Sequence, residues 1–269
     1  MRSSFLIYIL LVSFSSLGQV YQGISHDLKN QIEKAHAKKD LVELGKYFIG
    51  RPYSHMALSR GNPEEVYYSL KDFDCVTFIE NMLALYESNG LDSVYKKRLI
   101  ELRYVKSNDI RYETRLHYLS SAFEKWQQMG IIDQVHASNE RLLKKDIHYL
   151  SAYLAGNHFK IDVNQIKTTE QALSEKPMSF IDRKQIAQFL PKLKSGDIVA
   201  FVSKRSDLDF KHVGFIMIQH GKAFLLHASQ EKKVICISDQ DVATYLLNHP
   251  QMIGIQVYRP NLYVSTLSF

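Results

Sequence analysis

The sequence predicts an α+β protein in which a helical first half is followed by an antiparallel sheet. Apolar residues recur every three or four positions before residue 130, whereas short β-branched runs separated by turns dominate after residue 195. Helices and strands are thus segregated along the chain rather than alternating, which is the α+β arrangement. With 269 residues, 45% of them hydrophobic, the chain can bury a large core.

Helical spacing is strongest in the first half of the chain. Asp74 is a good N-cap for one of these helices, because its carboxylate can accept the free N–H groups of the first turn. Residues around 91–190 read as a helical elaboration, although residues 156–176 are polar and receive no assignment. The segments predicted as helices are 26–48, 74–90 and 91–103, and a helix-like run after residue 118 continues through Phe123 and Trp126 to Gly130.

The second half has the pattern of strands. A turn at 196–197 leads into the first strand, and a tight turn at 220–221 joins the second strand to the third. A short helix is expected over 239–247. We find no internal repeat, so residues 19–269 are predicted to form one domain. The predicted strands are 198–202, 212–218, 223–229, 234–237 and 252–258.

The first 18 residues have the layout of a secretory signal peptide. A positive start at Arg2 precedes an apolar run over 5–14, and small residues follow before Gln19. The run is too short to span a bilayer, and no cysteine follows it for a lipid anchor. We therefore expect a periplasmic or secreted protein with no stable membrane insertion after cleavage. A buried N-terminal helix is the alternative.

The charge distribution and the absence of metal-site motifs limit the partners and cofactors that we expect. The net charge of +6 comes without a lysine or arginine block long enough to follow a nucleic-acid backbone, so we expect no nucleic-acid partner. Metal-site spacings such as H-E-x-x-H and paired C-x-x-C do not occur in the sequence. The chain is therefore expected to use no metal and no cofactor.

Cys75 is the strongest candidate nucleophile. It follows Asp74 at the predicted start of a helix, where N–H groups and the positive end of the dipole favour a thiolate. The alternative is that Cys75 is a small buried hydrophobic residue. An exported protein could join it to Cys236, the other cysteine, in a disulfide. A core position for Cys236 in a strand is the simpler interpretation.

A cysteine nucleophile needs a base, and the base needs a residue that orients it. His212 opens one predicted strand and His227 lies near the end of the next, so the turn at 220–221 makes them neighbours across the ladder. We predict that His212 takes the thiol proton and that His227 holds the imidazole of His212. Backbone N–H groups at the helix start, including that of Cys75, would meet the oxyanion. Alone, each histidine would be read as an ordinary strand residue.

Five short motifs stand in a fixed order along the chain: G-R-P-Y at 50–53, D-F-D-C at 72–75, G-D at 196–197, H-V-G at 212–214 and L-H-A-S at 226–229. This order resembles the signature of the NlpC-type papain-like peptidases, which act on bacterial cell-wall peptides. The resemblance implies a papain-like core, with a nucleophile-bearing helix packed on an antiparallel sheet. It also implies that Cys75, His212 and His227 form the catalytic set.

A closer resemblance covers most of the mature chain. D-C-V-T-F-I-E-N at 74–81, with R-L-H-Y at 115–118, resembles a divergent branch whose members are implicated as N-acetylmuramoyl-L-alanine amidases. Val76 and Thr77 replace the Ser-Gly of ordinary members, which disfavours their D-glutamyl–diamino-acid endopeptidase activity. The resemblance implies hydrolysis of the muramoyl–L-alanine amide in peptidoglycan fragments through a thioester. The alternatives are a stem-peptide endopeptidase and a wall-binding module without activity.

Four residues are candidates for binding substrate. Arg115 could pair bidentately with a peptide carboxylate, beside His117 and Tyr118. Tyr53 could point its hydroxyl at the oxyanion or at the substrate. The alternative for 115–118 is a helix start with a solvated arginine and a packed tyrosine.

Overall fold

An antiparallel sheet forms the centre of the computed structural model, which describes residues 23–262 except 56–57, 59–63 and 157–160. The signal peptide predicted at 1–18 lies outside the described residues. The strands are β1 (Ile132–Gln134), β2 (Arg141–Leu143), β3 (Met178–Asp182), β4 (Ile198–Ser203), β5 (Phe210–Gln219), β6 (Lys222–Ser229), β7 (Val234–Asp241) and β8 (Met252–Pro260).

The strand order is β2-β3-β8-β4-β5-β6-β7, with β1 paired to β8. Every pairing between these strands is antiparallel. Strands β4 to β7 form a meander, and the last strand returns to pair with β4. The predicted antiparallel sheet is confirmed, although the region around 91–190 also contributes three strands to it.

Helices cover much of the rest of the described chain. They are α1 (His26–Lys38), α2 (Leu41–Lys46), α3 (Cys75–Ser88), α4 (Asp92–Arg103), α5 (Leu119–Gln128), α6 (Tyr149–Gly156), α7 (Val163–Glu175), α8 (Ile186–Phe189) and α9 (Val242–Asn248). Among the described residues, no helix combines the length and apolar character needed to cross a bilayer.

Two local predictions are corrected by the structure. The helix expected over 26–48 is divided, because Lys39 adopts a left-handed conformation with φ of 49° and ends α1. Asp40 then caps α2 by accepting the N–H of Val42 at 2.8 Å. The unassigned region contains α7, whose described buried positions are only Ile166 and Glu170, so it carries little apolar periodicity.

The sheet separates two apolar clusters. Helices α1 to α5 pack on one face, where Phe78 of α3 meets Phe215 of β5 with ring centroids 5.8 Å apart. Helices α8 and α9 pack on the other face. Because both faces are covered, β4 is buried along its whole length. This arrangement brings the start of α3 to the middle of the sheet.

Candidate active site

A capping box fixes the start of α3, where Cys75 is the first helical residue. The Asp74 carboxylate accepts the N–H of Thr77 at 2.7 Å, and the Thr77 hydroxyl accepts the N–H of Asp74 at 2.9 Å. Threonine thus takes the place that glutamate or glutamine occupies in most capping boxes. Thr77, which departs from the ordinary peptidase pattern, therefore has a structural role beside the cysteine.

The rest of the 74–81 motif anchors α3 to α4. Glu80 forms a buried ion pair with Arg103, with 2.9 Å between Oε2 and Nε. Asn81 accepts the hydroxyl of Tyr95 at 2.6 Å. These contacts hold the helix that carries Cys75 rigidly against its neighbour, which a precisely placed nucleophile requires.

The hydrogen-bonded ladder between β5 and β6 ends beside the cysteine. Their ladder ends at the Phe215–Leu226 pair, although each strand continues alongside its other neighbour. The N–H of Val213 is therefore outside that ladder, and it hydrogen-bonds to the sulfur of Cys75. The sulfur therefore lies where the β5–β6 ladder ends, one residue along β5 from His212. We call this place, at residues 212–214 and 227–229, the fork.

The structure brings His212 and His227 together at the same fork. Nε2 of His212 lies 2.6 Å from Nδ1 of His227, and both side chains are buried. Gly214 permits this approach, since a Cβ there would stand 2.9 Å from Cβ of His227 and 2.6 Å from Cδ1 of Leu225. Any side chain at the glycine of the H-V-G motif would therefore clash with the neighbouring strand.

Burial lowers the pKa of both histidines. The pKa of His212 falls well below 6.5, with His227, His249 and Lys211 adding to the effect of burial. Burial, Lys232 and His249 lower the pKa of His227 to about 4. Both rings are therefore neutral at pH 7, and His212 is able to accept a proton.

Burial opposes the thiolate that the helix start was expected to favour at Cys75. Burial, followed by the charge of Asp74, raises the pKa of Cys75 to about 12. The N–H groups of Val213, Cys75 and Val76 act in the opposite direction but do not prevail. The side chain is still partly exposed, so a substrate can reach the sulfur.

Tyr53 lies close to the nucleophile. Its backbone N–H donates to the carbonyl of Lys233 at 2.8 Å, which holds the 50–53 segment across the start of β7. Burial raises the pKa of its hydroxyl, and the charges of Cys75 and Asp74 add to this. Tyr53 is thus near Cys75 and Asp74, and its role in binding substrate or the oxyanion stays a prediction.

Sequence reasoning did not single out Tyr245 of α9. Its ring centroid lies 5.8 Å from that of His227 and 6.4 Å from that of His212, so it covers both histidines. Burial and nearby charges, Cys75 among them, raise the pKa of its hydroxyl. No motif surrounds Tyr245, and only the helical pattern of its segment could have drawn notice.

Cys236 also belongs to the surroundings of the histidines. It is the cross-strand partner of His227, and its sulfur lies 3.9 Å from Nε2 of that ring. Both cysteines are free, so no disulfide joins them. The side chain of Cys236 is partly exposed rather than buried in the core.

Arg115, predicted to bind a substrate carboxylate, is paired with a carboxylate of the protein. Its Nη2 lies 2.6 Å from both oxygens of Glu64, and it donates to the carbonyl of Leu58 at 3.1 Å. The side chains of Arg115 and Glu64 are only 8% and 7% exposed. Arg115 therefore ties two distant parts of the chain together, and binding a substrate carboxylate would require it to leave Glu64.

His117 and Tyr118 are likewise bonded within the protein. The ring of His117 meets the carbonyl of Tyr112 at 2.7 Å, and burial lowers its pKa to about 3. The Tyr118 hydroxyl donates to Glu170 at 2.6 Å and accepts the N–H of Leu150 at 2.9 Å. These bonds join the start of α5 to α6 and α7.

A cavity of about 410 Å³ lies apart from Cys75, His212 and His227. Asp209, Lys145 and Gln256 are part of its lining, whereas Cys75 and His212 are not. Across the described ranges, no cluster of three or more histidine, cysteine or carboxylate side chains is arranged to hold a metal ion.

Known structures share this fold. An N-acetylmuramoyl-L-alanine amidase from Bacteroides uniformis matches with a TM-score of 0.76 and 27% identity, over 82% of this chain and 98% of that one. A Bacteroides fragilis protein matches with a TM-score of 0.73 and 24% identity, over 80% and 98%. A Legionella pneumophila protein matches with 0.63 and 16%, over 88% and 95%. The last two likenesses show the fold alone.

Sequence comparison identifies the family. No curated protein matches the chain. Residues 43–255 match the AmiA-like family model, described as N-acetylmuramoyl-L-alanine amidase-like. This range contains Cys75, His212 and His227. The match covers well over half of the sequence, and the chain therefore belongs to the AmiA-like family of N-acetylmuramoyl-L-alanine amidase-like proteins.

Proposed function

We propose that the protein is a cysteine hydrolase that cleaves the N-acetylmuramoyl–L-alanine amide bond in peptidoglycan fragments. Family membership and the likeness to an amidase support a hydrolase of this class. The observation that carries the cysteine mechanism is the fork, where the N–H of Val213 bonds to the Cys75 sulfur and His212 meets His227 at 2.6 Å. The same arrangement supports placing the fold among the NlpC-type papain-like peptidases.

Acylation begins with transfer of the Cys75 thiol proton to His212. Nε2 of His212 is engaged by His227, so Nδ1 is the nitrogen that accepts this proton. The thiolate attacks the lactyl carbonyl, and the N–H groups at the start of α3 stabilise the oxyanion. Protonated His212 then donates to the nitrogen of L-alanine, the C–N bond breaks, and a muramoyl thioester remains on Cys75.

Deacylation reverses these roles. His212 takes a proton from a water molecule, and the resulting hydroxide attacks the thioester carbonyl. The C–S bond breaks, the muramic acid carboxylate leaves, and the sulfur regains a proton from His212. His212 must be neutral before each proton transfer, and burial, which lowers its pKa, keeps the ring neutral at pH 7.

Product analysis with a defined muropeptide tests this function. The proposal requires release of an intact stem peptide that begins at L-alanine, together with the free muramic acid sugar. A shortened stem would contradict it and support the endopeptidase alternative. The absence of any product between pH 5 and pH 9 would support a wall-binding module instead.

The proposed place of action is the periplasm or the cell exterior, which follows from the layout of residues 1–18. Expression of the full chain in a bacterial host, followed by fractionation and N-terminal sequencing, tests this. We expect an exported protein that begins at Gln19. A cytoplasmic protein that retains residues 1–18 would contradict the proposal.

A further inference from the structure

The line of polar atoms does not end at His227. Cys236 faces this ring from β7, with 3.9 Å between its sulfur and Nε2. The hydroxyl of Ser229 contacts the same sulfur, and it also accepts the N–H of Lys232 at 3.1 Å. A line of polar contacts therefore runs from His212 through His227 and Cys236 to the hydroxyl of Ser229 at the end of β6.

The direction of the bond between the histidines decides whether His212 can act as a base. Only one hydrogen fits between Nε2 of His212 and Nδ1 of His227, which are 2.6 Å apart. If His212 provides it, Nδ1 of the neutral His212 ring has a free lone pair and can accept a proton. If His227 provides it, neutral His212 already carries a hydrogen on Nδ1 and cannot take one from Cys75.

We infer that Cys236 is a positioning residue that selects the productive direction by accepting the Nε2–H of His227. In that direction the neutral His227 ring carries its hydrogen on Nε2, which then needs an acceptor. The sulfur of Cys236 is the acceptor within reach. The hydrogen bond from Ser229 lowers the pKa of Cys236, so the Ser229 hydroxyl donates to this sulfur, which has a second lone pair for the N–H of His227.

The surroundings of Cys236 keep it in the thiol form that this arrangement uses. Burial, the largest influence, raises its pKa, with Asp239 acting in the same direction and Lys232 and Ser229 opposing them. Lys232 is itself paired with Asp239 at 2.6 Å. Tyr245 packs against the other side of the His227 ring. The sulfur can therefore accept from both Ser229 and His227.

The tautomer of His227 is measurable in the free protein, independently of any substrate. Long-range ¹H–¹⁵N spectra of histidine-labelled protein at pH 7 report which nitrogen of each ring is protonated. His212→Gln and His227→Gln variants assign the signals. We expect both rings to carry their hydrogen on Nε2. A hydrogen on Nδ1 of His227 in the unaltered protein would overturn the inference.

Two substitutions of Cys236 separate positioning from simple packing. Cys236→Ala removes the acceptor, whereas Cys236→Ser keeps one acceptor and one donor. Both variants retain only the Cys75 thiol, so the rate of iodoacetamide alkylation, followed by mass spectrometry, reports on the nucleophile alone. We expect alkylation and kcat to be on the order of tenfold slower in the alanine variant than in the serine variant, with KM unchanged.

The alanine variant should also show a mixture of His227 tautomers. Equal alkylation rates and equal tautomers in the two variants would overturn the inference. The catalytic consequence rests on the proposed function, but the tautomer and alkylation measurements do not. If the unaltered protein cleaves no muropeptide, the proposed function fails while these two measurements still decide the role of Cys236.

Discussion

Two polar clusters that stand out in the sequence are used differently in the fold. At the fork, the Cys75 sulfur is partly exposed, and one nitrogen of His212 stays available for a proton. In the 115–118 segment, the polar side chains are bonded to protein partners. The contrast indicates that a polar motif residue performs chemistry where the protein leaves part of its bonding capacity for the substrate.

Substitution of the nucleophile should have the largest effect on muropeptide turnover. Cys75→Ala should lower turnover of the muropeptide by on the order of 10⁴-fold or more, since no thioester can form. The variant should unfold at nearly the same temperature as the unaltered protein, because the side chain is partly exposed and small. Undiminished turnover would contradict the mechanism.

The two histidines should differ in their effects. His212→Ala removes the base and should lower kcat about 10³-fold, whereas His227→Ala removes only its orientation and should lower kcat about 10²-fold. Steady-state kinetics of both variants provide the measurement. A larger loss in the His227 variant would mean that the proposed roles are reversed.

Arg115→Ala should act on stability rather than chemistry. It leaves Glu64 buried without its partner, so we expect a loss of about 3–5 kcal/mol in the free energy of unfolding measured with urea. Arg111→Ala is the matched control, because its pair with Asp109 is 53% and 33% exposed and should contribute little to stability.

The KM of the folded Arg115 variant distinguishes a structural arginine from a substrate clamp. A structural arginine predicts a KM close to that of the unaltered enzyme. A large rise in KM without a loss of stability would instead favour the substrate clamp that the sequence suggested.

Gly214→Ala tests the close approach of the two strands at the fork. The added methyl group would press against His227 and Leu225, and overpacking of this kind costs about 1–3 kcal/mol. Gly156→Ala is the control, since nothing lies within 4 Å of a Cβ there. Urea unfolding of both variants checks this, and an equal effect of the two substitutions would contradict the steric account.

The stability of the protein should also depend on pH. The pKa values of His117 and His227 are lowered to about 3 and about 4, so these buried rings stay neutral in the folded protein. The unfolded chain binds protons on them once the pH falls below about 6.5, and stability should therefore decline from pH 6.5 toward pH 4. Urea unfolding at pH 7, 5.5 and 4.5 measures this, and His117→Gln should flatten the dependence.

Much of the fold and the centre of the site could be predicted from local patterns. The cap at Asp74 and the tight turn at 220–221 are local signals, and they place Cys75 at a helix start and His212 on the strand next to that of His227. The α+β class follows from periodicity in the same way. These features depend on residues close together in the sequence.

The remaining features depend on contacts between distant residues. Glu64, the partner of Arg115, is 51 residues away, and no pattern in the sequence pairs them. Cys236 stands opposite His227 because the β6–β7 register shifts between Phe224 and Leu226. A bulge of this kind reflects side-chain packing across strands and has no reliable sequence signal.

The covalent intermediate is the most direct test of the central claim. The protein would be mixed with a defined muropeptide, quenched in acid within milliseconds to seconds, digested and analysed by mass spectrometry. The account predicts an adduct on Cys75 equal in mass to the muramoyl sugar, joined through its lactyl carbonyl and without amino acids. An adduct that also contains L-alanine and D-glutamate, or one on Cys236, would contradict it.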